Sequence, residues 1–249
     1  MNTVKKTKID LNRTELQKRV IVALDTADLI FAKKLVHRLK DSIQMFKVGS
    51  ELFTAHGPKA VEMVKKAGRD VFLDLKFHDI PNTVSQATRS AVRLGVSMLN
   101  VHIGGGLQMM QEACIACADE ARKVGSKPPQ LIGVTLLTSL DENVIQNEIG
   151  ITGPMEGTIL RYVELAQKAG LDGVVASALE VEKIRTVSGP DFVVVTPGIR
   201  PEWASRDDQV RVLTPQEAFA LGASYIVVGR PITEAEDPKE AALRIFESL

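Results

Sequence analysis

The sequence of 249 residues carries no net charge, with 31 Lys and Arg balancing 31 Asp and Glu. Proteins that grip nucleic acid neutralise phosphates with an excess of basic residues, so that class is excluded, and no nucleic-acid partner is expected. Cysteine is scarce, at two residues. That excludes a disulfide scaffold and suits a cytoplasmic protein in a reducing compartment. No stretch approaches the ~20 consecutive apolar residues of a membrane span, so no membrane partner is expected either. Residues 1–19 hold six basic and two acidic residues but no apolar run, which excludes a secretory signal. They are neither Arg-rich nor Ser-rich, so a polar N-terminal extension is preferred to a transit peptide. The four histidines show no HxxxH spacing, and no zinc or other metal site is expected. Low-complexity linkers are absent too, so residues 20–249 read as one domain.

What is present is an ordinary globular composition, 45% hydrophobic and 25% charged. From Val20 onward, short β-type runs alternate with helical stretches. The strands are expected at Val20–Leu24, Met45–Val48, Val71–Leu75, Met98–His102, Leu131–Leu136, Gly173–Ala176, Phe192–Thr196 and Tyr225–Val228. Their near-continuous Val, Ile and Leu content suits strands buried on both faces of a parallel sheet. Helices are expected near 28–40, 58–67, 83–94, 107–123, 156–169, 178–188, 214–221 and 238–249. Glycines follow several of them at C′ positions, and Pro215 and Pro238 fall in first turns. Eight such pairs give about 29 residues per unit, the spacing of an α/β protein of the (β/α)8 TIM-barrel type. The competing architecture is an open doubly wound sheet. Irregular stretches at 139–155 and 198–213 both follow strands, which in a barrel places them over the C-terminal mouth.

Charged residues collect at that mouth. Asp25 ends the first strand, Lys47 lies in the second, and Asp74 and Lys76 end the third. Alternation by two sets Asp74 and Lys76 on one side of their strand. Any one of these is more simply read as a solvated strand-end charge. Three on adjacent strands at one end point to a site, because charges inside a barrel are costly unless paired. After strands seven and eight come Gly198 with Arg200, and Gly229 with Arg230. Barrels often hold phosphate there, and glycine lets backbone approach while arginine supplies a bidentate cation. Cys114 and Cys117 form a CxxC inside a helical stretch and read as buried small residues rather than a metal or redox pair. Gly104–Gly106 reads as a flexible loop rather than an anion nest, and Trp203 as either a ligand cover or a partly exposed loop aromatic.

The segment from Asp74 to Thr83, DLKFHDIPNT, resembles the signature of the orotidine 5′-phosphate decarboxylase family. VALD ending at Asp25, FKVG around Lys47, LLTS around Thr138, TPGIRP at 196–201, DDQ ending at Gln209 and VVGRPIT at 227–233 are similar to the family in the same order. The resemblance covers residues 20–249 and is closest to the single-domain bacterial form. It implies conversion of orotidine 5′-phosphate to UMP and CO2, the last step of de novo pyrimidine synthesis. It also implies no cofactor, and a homodimer with shared active sites. By resemblance, Lys76 protonates C6, and Asp74 with the partner subunit's Asp79 lies near the leaving carboxylate. Lys47 completes the charged row and, with Asp25, holds the ribose hydroxyls. Ile80 and Thr83 belong to the substrate-binding set, Thr83 from across the dimer. Thr138 contacts the pyrimidine edge, Gln209 bridges base and phosphate, and Arg200, Gly229 and Arg230 hold the phosphate. VHIGGG departs from the family, which more often has a smaller residue and Ser before the glycine pair. Related barrel enzymes that act on sugar phosphates with Mg²⁺ share D-x-K-x-x-D, but Thr138 and Gln209 count against them. A nucleotide-binding protein without activity would have no use for the clustered charges.

Overall fold

The computed structural model describes residues 15, 17–204 and 213–249. Eight parallel strands close a barrel in chain order: β1 (Val20–Ala23), β2 (Met45–Gly49), β3 (Asp70–Phe77), β4 (Met98–His102), β5 (Gln130–Val134), β6 (Gly173–Val175), β7 (Val193–Thr196) and β8 (Tyr225–Val228). Ile21 of β1 lies opposite Met45 of β2 on one side and Val227 of β8 on the other, which closes the ring. Every expected strand forms, and the barrel rather than the open sheet is the architecture. Around it run α1 (Leu29–Leu39), α2 (Ser50–His56), α3 (Pro58–Lys66), α4 (Pro81–Arg93), α5 (Gly106–Val124), α6 (Met155–Ala169), α7 (Val181–Ser188), α8 (Pro215–Ala220), α9 (Arg230–Thr233) and α10 (Pro238–Glu247). No described helix is long and apolar enough to cross a membrane.

Local chemistry sets these ends. Asp28 accepts hydrogen bonds from the N–H groups of Ile30 and Phe31, and Asp237 from those of Lys239 and Glu240, capping α1 and α10. Thr214 and Glu217 form a reciprocal capping box at α8. Gly125 and Gly170 end α5 and α6 in the left-handed conformation, as a C′ glycine should. Period-two alternation along the strands sorts the core into two layers. Val20, Val22, Phe46, Val48, Leu73 and Leu99 face the helices, whereas Ile21, Met45, Phe72, Met98, Ile132, Val195 and Val227 fill the barrel interior.

The sequence reading misses two helices. SELFTAH forms α2, a single short helix with only Leu52 fully buried, so it offers no apolar periodicity to detect. RPIT forms α9, too short for any pattern. Pro81 starts α4 two residues before its expected beginning, because proline suits the first turn. Within 139–155 the chain makes one π turn, Val144–Glu148. Gly104–Gly106 is not a free loop: Ile103–Gly105 is a 3₁₀ turn leading straight into α5.

Candidate active site

The apolar interior ends two residues short of the barrel mouth, and the next inward positions are polar. Asp25 follows Ala23, Lys47 follows Met45, Asp74 follows Phe72 and Asn100 follows Met98. The first three form a chain of ion pairs. Lys47 Nζ lies 2.8 Å from Asp25 Oδ1 and 3.3 Å from Asp74 Oδ2. Lys76 Nζ lies 2.7 Å from Asp74 Oδ1. The row therefore alternates, Asp25–Lys47–Asp74–Lys76, as charges beside a dry apolar floor must. Its middle is buried and its ends are open: the side chains of Lys47 and Asp74 are each 12% exposed, that of Lys76 is 34% and that of Asp25 is 58%.

These pairs fix the charge states. Burial pushes the Asp74 carboxyl up, but the ammonium groups of Lys47 and Lys76, with hydrogen bonds from Lys76 and Asn100, outweigh it and hold it below the usual carboxylate value. Burial likewise pushes Lys47 down, and Asp74 and Asp25 outweigh it, so its ammonium persists above the usual lysine value. At neutral pH this stretch of the row carries alternating full charges.

Simple alternation does not describe how Lys76 reaches Asp74. Leu73 lies opposite Leu99 and Phe77 opposite Val101, so Asp74, Leu75 and Lys76 together stand opposite Asn100 alone. This irregularity bends β3 and re-aims its end. Lys76 has φ 50°, the only positive value among described non-glycine residues. Its N–H is paired with the Asn100 side chain, whose Oδ1 accepts at 2.8 Å, while Asn100 Nδ2 donates to Asp74 Oδ1 at 2.7 Å. The sequence reading misses Asn100. Its signal is there, an amide at the inward parity of the apolar strand MLNVH.

Lys47, Asp74, Lys76 and Thr138 line one cavity of about 150 Å³, floored by Phe72, Val134, Val175, Val195 and Val227. Gly229 stands at the same mouth, where an added Cβ would come within 3.6 Å of Asp25 Oδ2. Arg200 is buried, its N–H bonded to the Leu213 carbonyl, and half-buried Arg230 opens α9. Of the expected residues that are described, Asp25, Asp79, Ile80, Thr83, Arg200, Gly229 and Arg230 do not line that cavity. Asp79 and Thr83 line a second hollow of about 320 Å³ beside Lys76. Ile80 projects its side chain to solvent at 66% exposure, and its N–H donates to Asp79 Oδ1. Gln209 lies outside the described residues.

Neighbouring groups are settled more simply. His102 stacks on His78 with ring centres 5.2 Å apart, and burial, then His78 and Lys76, lower its pKa. Burial pushes the Cys114 thiol up to about 11 and the Cys117 thiol to about 12, which leaves both protonated and unreactive. Trp203 packs under the Arg244 guanidinium, 4.9 Å from its ring centre, so this aromatic is engaged by α10.

Residues 18–245 match the family described as Orotidine 5′-phosphate decarboxylase / HUMPS. The chain is 53% identical to the orotidine 5′-phosphate decarboxylase of Moorella thermoacetica, over 96% of this chain and 95% of that one. It is 47% identical to the enzyme of the same name from Trichlorobacter lovleyi, over 96% and 98%. Among solved structures, orotidine 5′-phosphate decarboxylase from Lactobacillus acidophilus superposes with a TM-score of 0.81 at 39% identity, covering 92% of this chain and 98% of that one. Barrel, charged row and these relatives agree: the chain belongs to the orotidine 5′-phosphate decarboxylase / HUMPS family.

Proposed function

We propose that the protein converts orotidine 5′-phosphate to UMP and CO2, the last step of de novo pyrimidine synthesis, with no cofactor. The observation that carries this reading is the alternating row Asp25–Lys47–Asp74–Lys76, with its last ammonium lining the same cavity as Thr138. The names of the relatives support the substrate.

Cleavage of the bond between C6 and the carboxyl carbon releases CO2 and leaves the electron pair on C6, where the ring offers no adjacent electron sink. An ammonium fixed beside C6 stabilises that charge as it develops and then gives it a proton, forming the C6–H bond of UMP. Lys76 takes this role because it is the outermost and most accessible cation of the row. Asp74 faces the departing carboxylate. Two unit charges ~4 Å apart at an effective dielectric of 20 interact by ~4 kcal/mol, about three decades in rate. Asp25 and Lys47 hold the ribose hydroxyls, and Thr138 the pyrimidine edge. Arg200, Gly229 and Arg230 take the phosphate, with Gln209 between phosphate and base. The catalytic unit is the barrel of residues 20–249.

Asp79 and Thr83 serve the site of a second copy, and Ile80 belongs to the substrate-binding set. Within the chain the carboxylate paired with Lys76 is Asp74, while Asp79 and Thr83 border a second hollow that Lys76 also lines, which leaves them free to meet another copy. Sharing has a sharp consequence. Lys76→Ala and Asp79→Ala homodimers are each expected to be inactive. Co-expressed in equal amounts, half the dimers are mixed, and each mixed dimer has one intact site. Activity on orotidine 5′-phosphate should then recover to about a quarter of wild type. Absence of recovery in purified mixed dimers would refute a site built from two chains.

A further inference from the structure

We propose that Asn100 is a positioning residue that sets the Lys76 ammonium through the backbone of β3. The inference rests on the reading of Lys76 as proton donor. Three residues of β3 stand opposite Asn100, so the strand ladder is broken at the point where Lys76 emerges. The Lys76 N–H finds its partner in a β4 side chain rather than in a strand carbonyl. At φ 50° the lysine is in a backbone region that a residue with a Cβ disfavours, so something must hold it there. Asn100 is 1% exposed, so it makes both contacts away from solvent.

At neutral pH the amide satisfies both neighbours. The Lys76 N–H can only donate and the ionised Asp74 carboxylate can only accept, which also fixes the orientation of the amide. Leucine would leave the N–H unpaired, and an ionised aspartate would set two carboxylates together. Asn100 does not line the cavity, so it acts through Lys76 and Asp74 rather than on substrate. Without it, the backbone of Lys76 is free to return toward extended geometry and carry its long side chain away from C6. A displacement of ~1 Å in a reacting group costs on the order of 100-fold in rate.

The test compares Asn100→Ala, Asn100→Asp and Lys76→Ala with the intact enzyme, measuring kcat and KM for orotidine 5′-phosphate, Kd for UMP and the melting temperature. Asn100→Ala should lower kcat about 100-fold while KM and the UMP Kd stay within about threefold. Asn100→Asp keeps the volume and the acceptor for Lys76, and it decides the matter if the alanine variant does not fold. Its kcat should be low where the new carboxyl is ionised and rise as pH falls, because the protonated acid can donate to Asp74 as the amide does. A purely structural Asn100 would lower the melting temperature and leave kcat near wild type in the folded variants. That result, or a raised KM at unchanged kcat, would overturn the inference. An active Lys76→Ala variant would instead remove the reading on which it rests.

Discussion

Lys76→Ala is expected to lose turnover of orotidine 5′-phosphate by at least about 10⁴-fold while still binding UMP. Two effects disappear together. A positioned general acid contributes about 10²–10⁴-fold. The fixed positive charge beside the developing carbanion is a second term, of the kind whose single donors are worth about 10²–10³-fold. The variant should fold, because Asp74 keeps Lys47 at 3.3 Å and Asn100 at 2.7 Å, so no buried charge is left alone. UMP lacks the carboxylate, and the groups assigned to ribose, base and phosphate are untouched. The check is single-turnover kinetics beside a UMP titration. A rate loss under tenfold would place the proton donor elsewhere.

Asp74→Asn should separate catalysis from binding in the opposite sense. Asp74 receives Lys47, Lys76 and Asn100. Replacing its carboxylate by an amide removes the charge that repels the substrate carboxylate, worth about three decades at ~4 kcal/mol. The kcat should therefore fall about 10³-fold, and KM should fall as well or stay level, since ground-state repulsion is relieved along with it. Steady-state kinetics on purified variant, with its melting curve to show that it folds, give both parameters. A rise in KM at nearly unchanged kcat would make Asp74 an ordinary binding residue.

Much of this site is legible in the sequence because barrel strands obey a simple parity. Ile21, Met45, Phe72 and Met98 are apolar and inward, and counting by two from them reaches Lys47, Asp74 and Asn100 at the mouth. Lys47 and Asp74 draw notice in the sequence as charges in or at the end of apolar strands. Asn100 escapes notice because an amide carries no charge, although its parity is the same. Alternation sets Lys76 on the side of Asp74, but it does not foresee three β3 residues opposite one on β4 or a lysine at φ 50°. Such local strain is set by tertiary partners, here one buried side chain, and propensity does not encode it. The helix α2 escaped for a different reason, having one fully buried residue in seven. The placement of Asp79 and Thr83 beside a second hollow depends on how β3 hands over to α4, which no periodicity reveals.

The most direct test of the central claim is a spectrophotometric assay of the purified protein with orotidine 5′-phosphate in excess EDTA, following loss of the substrate's ultraviolet band and identifying the product. Rapid loss of the band with UMP as product is expected, at the same rate with and without chelator. No turnover, or turnover only of a sugar phosphate on addition of Mg²⁺, would contradict a metal-free decarboxylase and move the chain to the other branch of its family.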